Sequence, residues 1–473
     1  MLVAIVSEPS RPSKPGYPGT PRVPGTRGDL ERERVGKALA WLDGHISWES
    51  AQMTRARVPT LDRMRDLVRL MGDPQDDYEV IHLTGTNGKG STARMITSLL
   101  ISKGLSVGTY TSPNLSAVNE RMTWNSEPIP DEDLADLLAS LEVLEGACVS
   151  QPTRFEILTA AALRWFADIA VDVAVLEVGI GGLWDATNVA DASVACVTNV
   201  GYDHVEILGP ELSDIAREKA GIVKSGCTLV LGETDPELAA IFRRSGAARV
   251  IARNEEFGCE SNSLAFGGRL VDIRTPYGLY EGIYVPLHGA HQGDNAAVAL
   301  AAVDAFFDAP CDIEVAREAF QRVEVPGRVE VVMRNPLCVL DGAHNVAGAE
   351  ALADAVSESF TASTRKGVIL VIGLLQGRNP VEMIEAIGPD HLLRVIACMP
   401  ASPRAMPARD VAEAALSLGV RCEVASSVAQ AVEIALERAS VDVGVIVTGS
   451  LYVVAEARSA LASGSRNVGS ERL

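Results

Sequence analysis

Gly85, Thr86, Asn87, Gly88, Lys89, Gly90 and Ser91 form an unbroken run of residue types suited to an anion: glycines that let the backbone come close, a lysine, and hydroxyls. The run follows the strand-like Val80, Ile81 and Leu83 and precedes Met95, Ile96, Leu99 and Leu100, which recur at helical spacing. A loop between a strand and a helix N-terminus offers free N–H groups and the positive end of the helix dipole, a combination that favours phosphate. The full Walker spacing is absent, because two residues separate Gly85 from Gly88 and Gly90 stands between Lys89 and Ser91. The competing reading is a Gly-rich turn capping an ordinary helix with Lys89 solvated. Nucleotide phosphate accounts better for a lysine held between two glycines and followed by hydroxyls.

Three more stretches end strand-like runs in the same way. Ser112, in "TSPNL", follows "SVGTY", so neighbouring parallel strands would bring its hydroxyl to the same crevice as Lys89; on its own the tripeptide is an ordinary turn. Glu177 closes the apolar "VAVLEVGIGG", an unusual place for a carboxylate unless it binds something, and magnesium suits one carboxylate shared with phosphate oxygens and water. Asp203 and His204 follow "CVTNVGY", where His204 by itself reads rather as a packed or surface residue than as a metal ligand. Lys219, in "REKAGIVK", sits on a predicted amphipathic helix, where spacing alone gives it no special role.

The elements that must position these residues alternate strand and helix. Strand-like runs at Ile81–Leu83, Ser106–Tyr110, Val171–Val178, Ala192–Thr198 and Thr228–Leu231 predict a parallel sheet covered by helices. Residues 261–287 predict a small antiparallel appendage. Alternation resumes at Leu337–Leu340, Val368–Ile372, Arg394–Ala397 and Val443–Val447. The expectation is an α/β chain in three parts: a disordered Pro/Gly-rich arm over 1–30, a P-loop-containing parallel-sheet ATP-binding domain over 31–325 carrying the appendage, and a C-terminal Rossmann-like α/β domain over 326–473.

Composition bounds the function. The 473 residues are 47% hydrophobic, enough for two or three domains, and 42 Lys+Arg against 62 Asp+Glu give a formal charge of −20. That balance argues against nucleic-acid or anionic-membrane partners, both of which need a basic footprint. The 8 cysteines are scattered without CxxC or zinc spacing. With no long apolar run and no secretory leader, they predict a cytoplasmic protein.

"GTNGKGS", "TSPNL", "FEILT", "EVGIGGLWDATN", "DHVEILG", "REKAGIVK", "HQGDNAAVA", "PGR", "DGAHN" and "TGSLY" occur in one order along the chain. Together they closely resemble the folylpolyglutamate synthase and dihydrofolate synthase enzymes of the Mur ligase superfamily, from about Arg32 to Arg458. The resemblance implies an ATP-dependent ligase that adds L-glutamate to dihydropteroate or to folyl glutamates through an acyl phosphate. Gly85 to Ser91 would hold the ATP phosphates, with Lys89 on the terminal ones. Ser112, Glu177 and His204 would hold magnesium, and a carbamylated Lys219 would help hold a second magnesium. Asn295, Arg328, Asp341 and His344 would contact ATP across a domain cleft, and Ser450 with "DGAHN" would border the glutamate site. Arg121, Phe155, Trp184, Asp185 and Ala186 would line the pterin side.

The partners implied are small molecules, namely a pteroate or folate, L-glutamate and ATP, and the family is usually monomeric. One departure stands out: Leu183 occupies a position that is usually Arg or Lys in relatives. A cell-wall Mur ligase is the nearest rival, and no UDP-sugar domain is recognisable ahead of the loop. A regulatory ATP sensor would not need "DGAHN" or the Lys219 motif. A NAD dehydrogenase is disfavoured, since no GxGxxG follows a strand.

Overall fold

The computed structural model describes residues 27–47 and 60–464. Residues 1–26, most of the predicted arm, lie outside that range, and the helix Arg27–Asp43 begins four residues inside the stretch expected to be disordered. Its Ala38 and Leu42, in the C-terminal half, are buried in a core shared with the helices Asp131–Glu145 and Arg154–Asp168, so packing of that half supports the helix.

The first sheet comprises β1 (Glu79–Thr84), β2 (Val107–Tyr110), β3 (Met122–Trp124), β4 (Glu127–Pro128), β5 (Val173–Glu177), β6 (Val194–Val197), β7 (Thr228–Leu231) and β8 (Arg249–Ala252). They lie in the order β4-β3-β2-β5-β1-β6-β7-β8, parallel from β2 to β8. Side chains alternate between two cores. Ile81, Leu83, Val173 and Val175 face the helices Lys89–Ser102 and His291–Phe307, while Val80, Ala174 and Leu176 face Arg154–Asp168. A sheet covered on both faces is why these strands read as continuous apolar runs.

The strands that sequence patterning misses are short or lie at edges. β3 and β4 make a hairpin around Asn125 and Ser126, both with positive φ (48° and 71°), a conformation that the usual Asn-Gly signal would have announced.

The appendage is β9 (Gly258–Ala265), β10 (Gly268–Thr275) and β11 (Gly278–Val285), antiparallel as expected and beginning slightly earlier. Asp304, on the buried helix His291–Phe307, fastens it to the first unit. Its carboxylate accepts from Thr275 Oγ1 (2.7 Å), Tyr280 Oη (2.7 Å) and the Cys311 amide (2.8 Å). Burial pushes this carboxyl up despite those donors. Asp304→Ala would orphan the Thr275 and Tyr280 hydroxyl donors, the Cys311 amide keeping Tyr280 Oη (2.9 Å), and is expected to lower unfolding stability by about 3 kcal/mol, read as a fall in urea midpoint at constant slope.

The second sheet comprises β12 (Glu330–Arg334), β13 (Leu337–Leu340), β14 (Val368–Ile372), β15 (Leu392–Ala397), β16 (Cys422–Val424) and β17 (Gly444–Thr448). The order is β12-β13-β17-β14-β15-β16, all parallel except β12. Leu370 and Ile372 face one core and Ile369 and Val371 the other. The appendage also reaches this second unit: Arg269 pairs with Glu358 at 2.5 Å, and the His288 and Phe360 rings lie 4.7 Å apart.

Candidate active site

The C-terminal ends of β1, β2, β5 and β6 converge, as ligand crevices of open α/β sheets do, on a cavity of about 590 Å³ whose opposite wall is the second unit. The Gly85–Ser91 loop forms its floor, and the helix begins at Lys89 with Gly88 as left-handed N-cap (φ 83°). The loop's shape is dictated by the segment after β6. Thr86 N–H donates to Asn199 O (3.0 Å), Asn87 N–H to Asn199 Oδ1 (3.0 Å), and Thr198 Oγ1 to Asn87 O (2.6 Å). A Cβ on Gly85 would stand 1.8 Å from Thr198 Oγ1, and one on Gly88 2.4 Å from Asn295 Oδ1. Asn295 itself is held by Gln292.

Two lysines meet at this loop. Lys89 Nζ lies 3.1 Å from Gly85 O, and Lys219 Nζ donates to the same oxygen at 2.8 Å. Lys219 is buried, and burial, with Lys89 beside it, pushes its ammonium down to about 7.

Ser112, Glu177 and His204 line the same cavity. Glu177 is buried at the end of β5, where Oε2 accepts the Ser112 amide (3.2 Å). Burial pushes this carboxyl up, against the pull of Lys89, Ser112, Arg328 and Arg94. His204 has left-handed backbone (φ 51°) and lines the crevice, and burial pushes its imidazole down to about 4 against the pull of Asp203, whose Oδ1 lies 3.7 Å from Nε2. Among the described residues no three His, Cys, Asp or Glu side chains gather as a metal site. The predicted set holds only two such residues plus a hydroxyl, a sparse donor set of the kind magnesium completes with water and phosphate oxygens.

The second unit supplies the far wall through the turn after β13. Asp341 accepts the Val329 and Ala343 amides, both at 2.8 Å, so its carboxylate shapes the turn that presents Gly342 and His344. Burial raises this carboxyl and Arg328 opposes the rise. Arg328 packs over Gly342, where a Cβ would meet its guanidinium at 2.4 Å. Ser450 lines the cavity after β17, its Oγ accepting the Val453 amide at 3.3 Å.

Asp203 ties the two walls together. Its carboxylate meets Arg378 (2.6 Å), His344 Nε2 (3.3 Å) and Asn345 Nδ2 (3.2 Å), all from the second unit. Burial alone would raise this carboxyl, but His204, His344 and Arg378 outweigh it and hold it well below the usual range.

At the other end of the cavity stand Arg121, Phe155, Trp184, Asp185 and Ala186. Arg121 is buried, its Nε donating to Asn114 Oδ1 (2.7 Å). Phe155 rides on the first turn of a helix fixed by a Thr153/Glu156 capping box. Asp185 is structural as well as lining: it accepts the Gly179, Ile180 and Thr187 amides, and burial raises its carboxyl. Trp184 packs on Ile207, Leu208 and Ile215. Leu183 is 54% exposed and is not among the cavity-lining residues. Leu183→Arg is therefore expected to change kcat and KM by less than about twofold, since surface substitutions of this kind seldom perturb a fold or site.

The structure thus brings every predicted site residue to one cavity. It adds cavity residues that sequence reasoning missed, Arg378 in "QGRNP" and Arg404 in "SPRAMP"; Arg94, which does not line the cavity, carries a guanidinium that burial pulls down against the opposing charge of Glu177. The first two share the strand-then-loop placement that marked Lys89 and Glu177, which was the available signal.

Residues 83–303 match the Mur ligase middle domain, and residues 327–451 match the Mur ligase glutamate ligase domain. The chain is 34% identical over 443 residues to a dihydrofolate synthase/folylpolyglutamate synthase of Mycobacterium tuberculosis, covering 85% of this chain and 90% of that protein. A folylpolyglutamate synthase of M. tuberculosis in complex with ADP and AMPPCP superposes with a TM-score of 0.83 at 33% identity, over 91% of this chain and 99% of the other. A bifunctional folylpolyglutamate synthase/dihydrofolate synthase with Mn, AMPPNP and L-glutamate bound gives a TM-score of 0.78 at 29% identity, covering 90% of this chain and 98% of that one.

Proposed function

We propose, from the premise that this chain belongs to the Mur ligase family and within it to the dihydrofolate synthase/folylpolyglutamate synthase enzymes, that it joins L-glutamate to a pteroate or folyl carboxylate at the expense of ATP. The observation that carries this reading is the convergence of a lysine-bearing phosphate loop, a strand-end glutamate and the "DGAHN" turn on one cavity. A cell-wall precursor as substrate is disfavoured by the relatives' identity.

A carboxylate is a poor electrophile, so its oxygen first attacks the terminal phosphorus of ATP, giving an acyl phosphate and ADP. The free amine of glutamate then attacks the acyl carbon, and the oxyanion collapses with loss of phosphate and a proton to leave an amide. Lys89 and the loop amides hold the terminal phosphates and neutralise charge that spreads over the transferring group. Arg328, His344 and Asp341 approach from the second unit, with Asn295 behind the loop, so closure of the two units, divided near residue 325, completes the site and keeps water from the acyl phosphate. Ser112, Glu177 and His204 would hold magnesium, which supplies Lewis-acid polarisation of the phosphoryl oxygens. Arg121, Phe155, Trp184, Asp185 and Ala186 receive the pterin end, and Ser450 borders the glutamate.

Lys219 is held for a further step. An ordinary lysine is almost wholly protonated at neutral pH, whereas one near 7 is about half neutral and can attack CO2, forming an N–C bond and releasing a proton. The carbamate so formed is a carboxylate that would help hold a second magnesium. Its population is expected to rise with pH through 7 and to vanish in Lys219→Arg. A carbamate resonance after incubation with 13C-bicarbonate checks this, and a spectrum identical to that of Lys219→Arg would count against it.

The reading itself is tested by ATP consumption with magnesium and L-glutamate, run separately with dihydropteroate and with tetrahydrofolate monoglutamate. Glutamate-dependent turnover is expected with at least one acceptor. ATP hydrolysis indifferent to glutamate would remove the ligase assignment.

A further inference from the structure

β1 ends at the phosphate loop, and one of its faces carries two polar side chains, His82 and Thr84, among apolar neighbours. His82 lies at the centre of the first sheet, between Leu176 of β5 and Ala195 of β6, and both polar residues are wholly buried. Such groups are costly on a central strand unless a partner answers them. Both find one in the segment between β5 and β6 that borders the cavity. Thr84 Oγ1 donates to Gly181 O (2.8 Å), and His82 Nε2 meets Thr187 Oγ1 (2.8 Å).

Thr187 passes the contact on. Its hydroxyl stands 2.5 Å from Asp185 Oδ1, which also accepts the Thr187 amide (3.0 Å), while Oδ2 accepts the amides of Gly179 (3.0 Å) and Ile180 (3.1 Å). With a donor directed at every one of these positions no acceptor is left for a carboxyl proton, so Asp185 is held as a carboxylate although burial raises it. The single hydrogen of the Thr187 hydroxyl is thereby committed to Asp185, and His82 must donate from Nε2. The ring suits that role. Burial, with Lys224 adding to the effect, pushes its imidazole down to about 3, and Nδ1 has no partner, so the neutral Nε2–H tautomer leaves a lone pair rather than an N–H unanswered. Asp185, Gly179 and Ile180 line the cavity; His82 and Thr187 stand behind them.

We propose that His82 is a positioning residue for the acceptor end of the site: through Thr187 it fixes Asp185, and with it the turn that holds Ile180, Trp184 and Ala186 against the pterin. This rests on the ligase reading and on its placement of the pterin. The physical reason is direction. A hydroxyl that accepts from His82 turns its hydrogen towards Asp185, whereas one without that donor rotates freely and leaves the buried carboxylate short of a partner.

Steady-state kinetics of the full chain test it, with KM for ATP, for L-glutamate and for whichever of dihydropteroate and tetrahydrofolate monoglutamate the wild type turns over. The variants are Thr187→Val, His82→Met, His82→Gln and the double variant of Thr187→Val with His82→Met. Glutamine carries an N–H near the place of Nε2, and methionine has the same shape without it. The acceptor KM is expected to rise about 30-fold in Thr187→Val and about 10-fold in His82→Met, with KM for ATP and glutamate within about threefold. His82→Gln should recover most of the loss, and the double variant should be no worse than Thr187→Val alone, because His82 acts through that hydroxyl. A histidine that merely fills the core would lower stability without separating the KM values. A parallel rise in all of them would therefore overturn the proposal, as would His82→Gln no better than His82→Met, or additive losses in the double variant. Should His82→Met not fold by circular dichroism, Thr187→Val is judged on the same comparison, and an unchanged acceptor KM there overturns it. Phe155→Ala with an unchanged acceptor KM would show that the pterin end lies elsewhere, and a wild type idle with glutamate and both acceptors would remove the ligase reading; either result takes this proposal with it.

Discussion

Lys89→Ala is expected to lower glutamate-dependent ATP turnover by about 1,000-fold, the upper range for loss of one preorganised electrostatic donor at a transferring group, while leaving the melting temperature nearly unchanged. The side chain contributes little to the core: it lies folded against the loop, 3.1 Å from Gly85 O and 3.4 Å from Thr86 O. Those are contacts a bound phosphate would replace. The loss should appear chiefly in kcat, because charge accumulates most as the phosphoryl group passes between oxygens. Full activity in a folded variant would mean that Lys89 does not face the phosphates.

Gly85→Ala should fail in a different way. Its methyl would fall 1.8 Å from Thr198 Oγ1 and 3.1 Å from Thr198 Cβ, on a β-branched side chain whose hydroxyl is committed to Asn87 O. Neither neighbour can move without unmaking the loop. A stability loss of about 1–3 kcal/mol is expected for such overpacking, together with an ADP affinity reduced by more than about 100-fold by calorimetry. Near-normal ADP binding would show that the loop tolerates a rearrangement its packing argues against.

How far the sequence foretold this molecule depends on the kind of feature. The buried strands were legible because two-sided coverage forces continuous apolar runs, as in β5 and β14. The Asn125-Ser126 hairpin was not, since neither residue announces a positive φ as glycine does. Lys89 and Glu177 stood out because a charge at an apolar strand end needs a reason. His204 and Lys219 gained roles only through resemblance, because what sets them apart, burial for Lys219 and a left-handed backbone at the crevice for His204, is something no single side chain reports. Arg378 and Arg404 escaped for the opposite reason: an arginine in a polar loop is ordinary until the chain folds it into a cavity. Leu183 looked like a functional departure and proves to face solvent.

The anion-binding loop is fixed by partners more than 110 positions downstream, Thr198, Asn199 and Gly201, through bonds to Thr86 and Asn87. The familiar seven-letter run is therefore not a portable module. Grafted onto another strand and helix without the β6 segment, it would carry the letters but not the curvature. A scan for the run alone would then collect sequences unable to cradle a nucleotide, whereas requiring Thr-Asn at the end of a later strand would discard them.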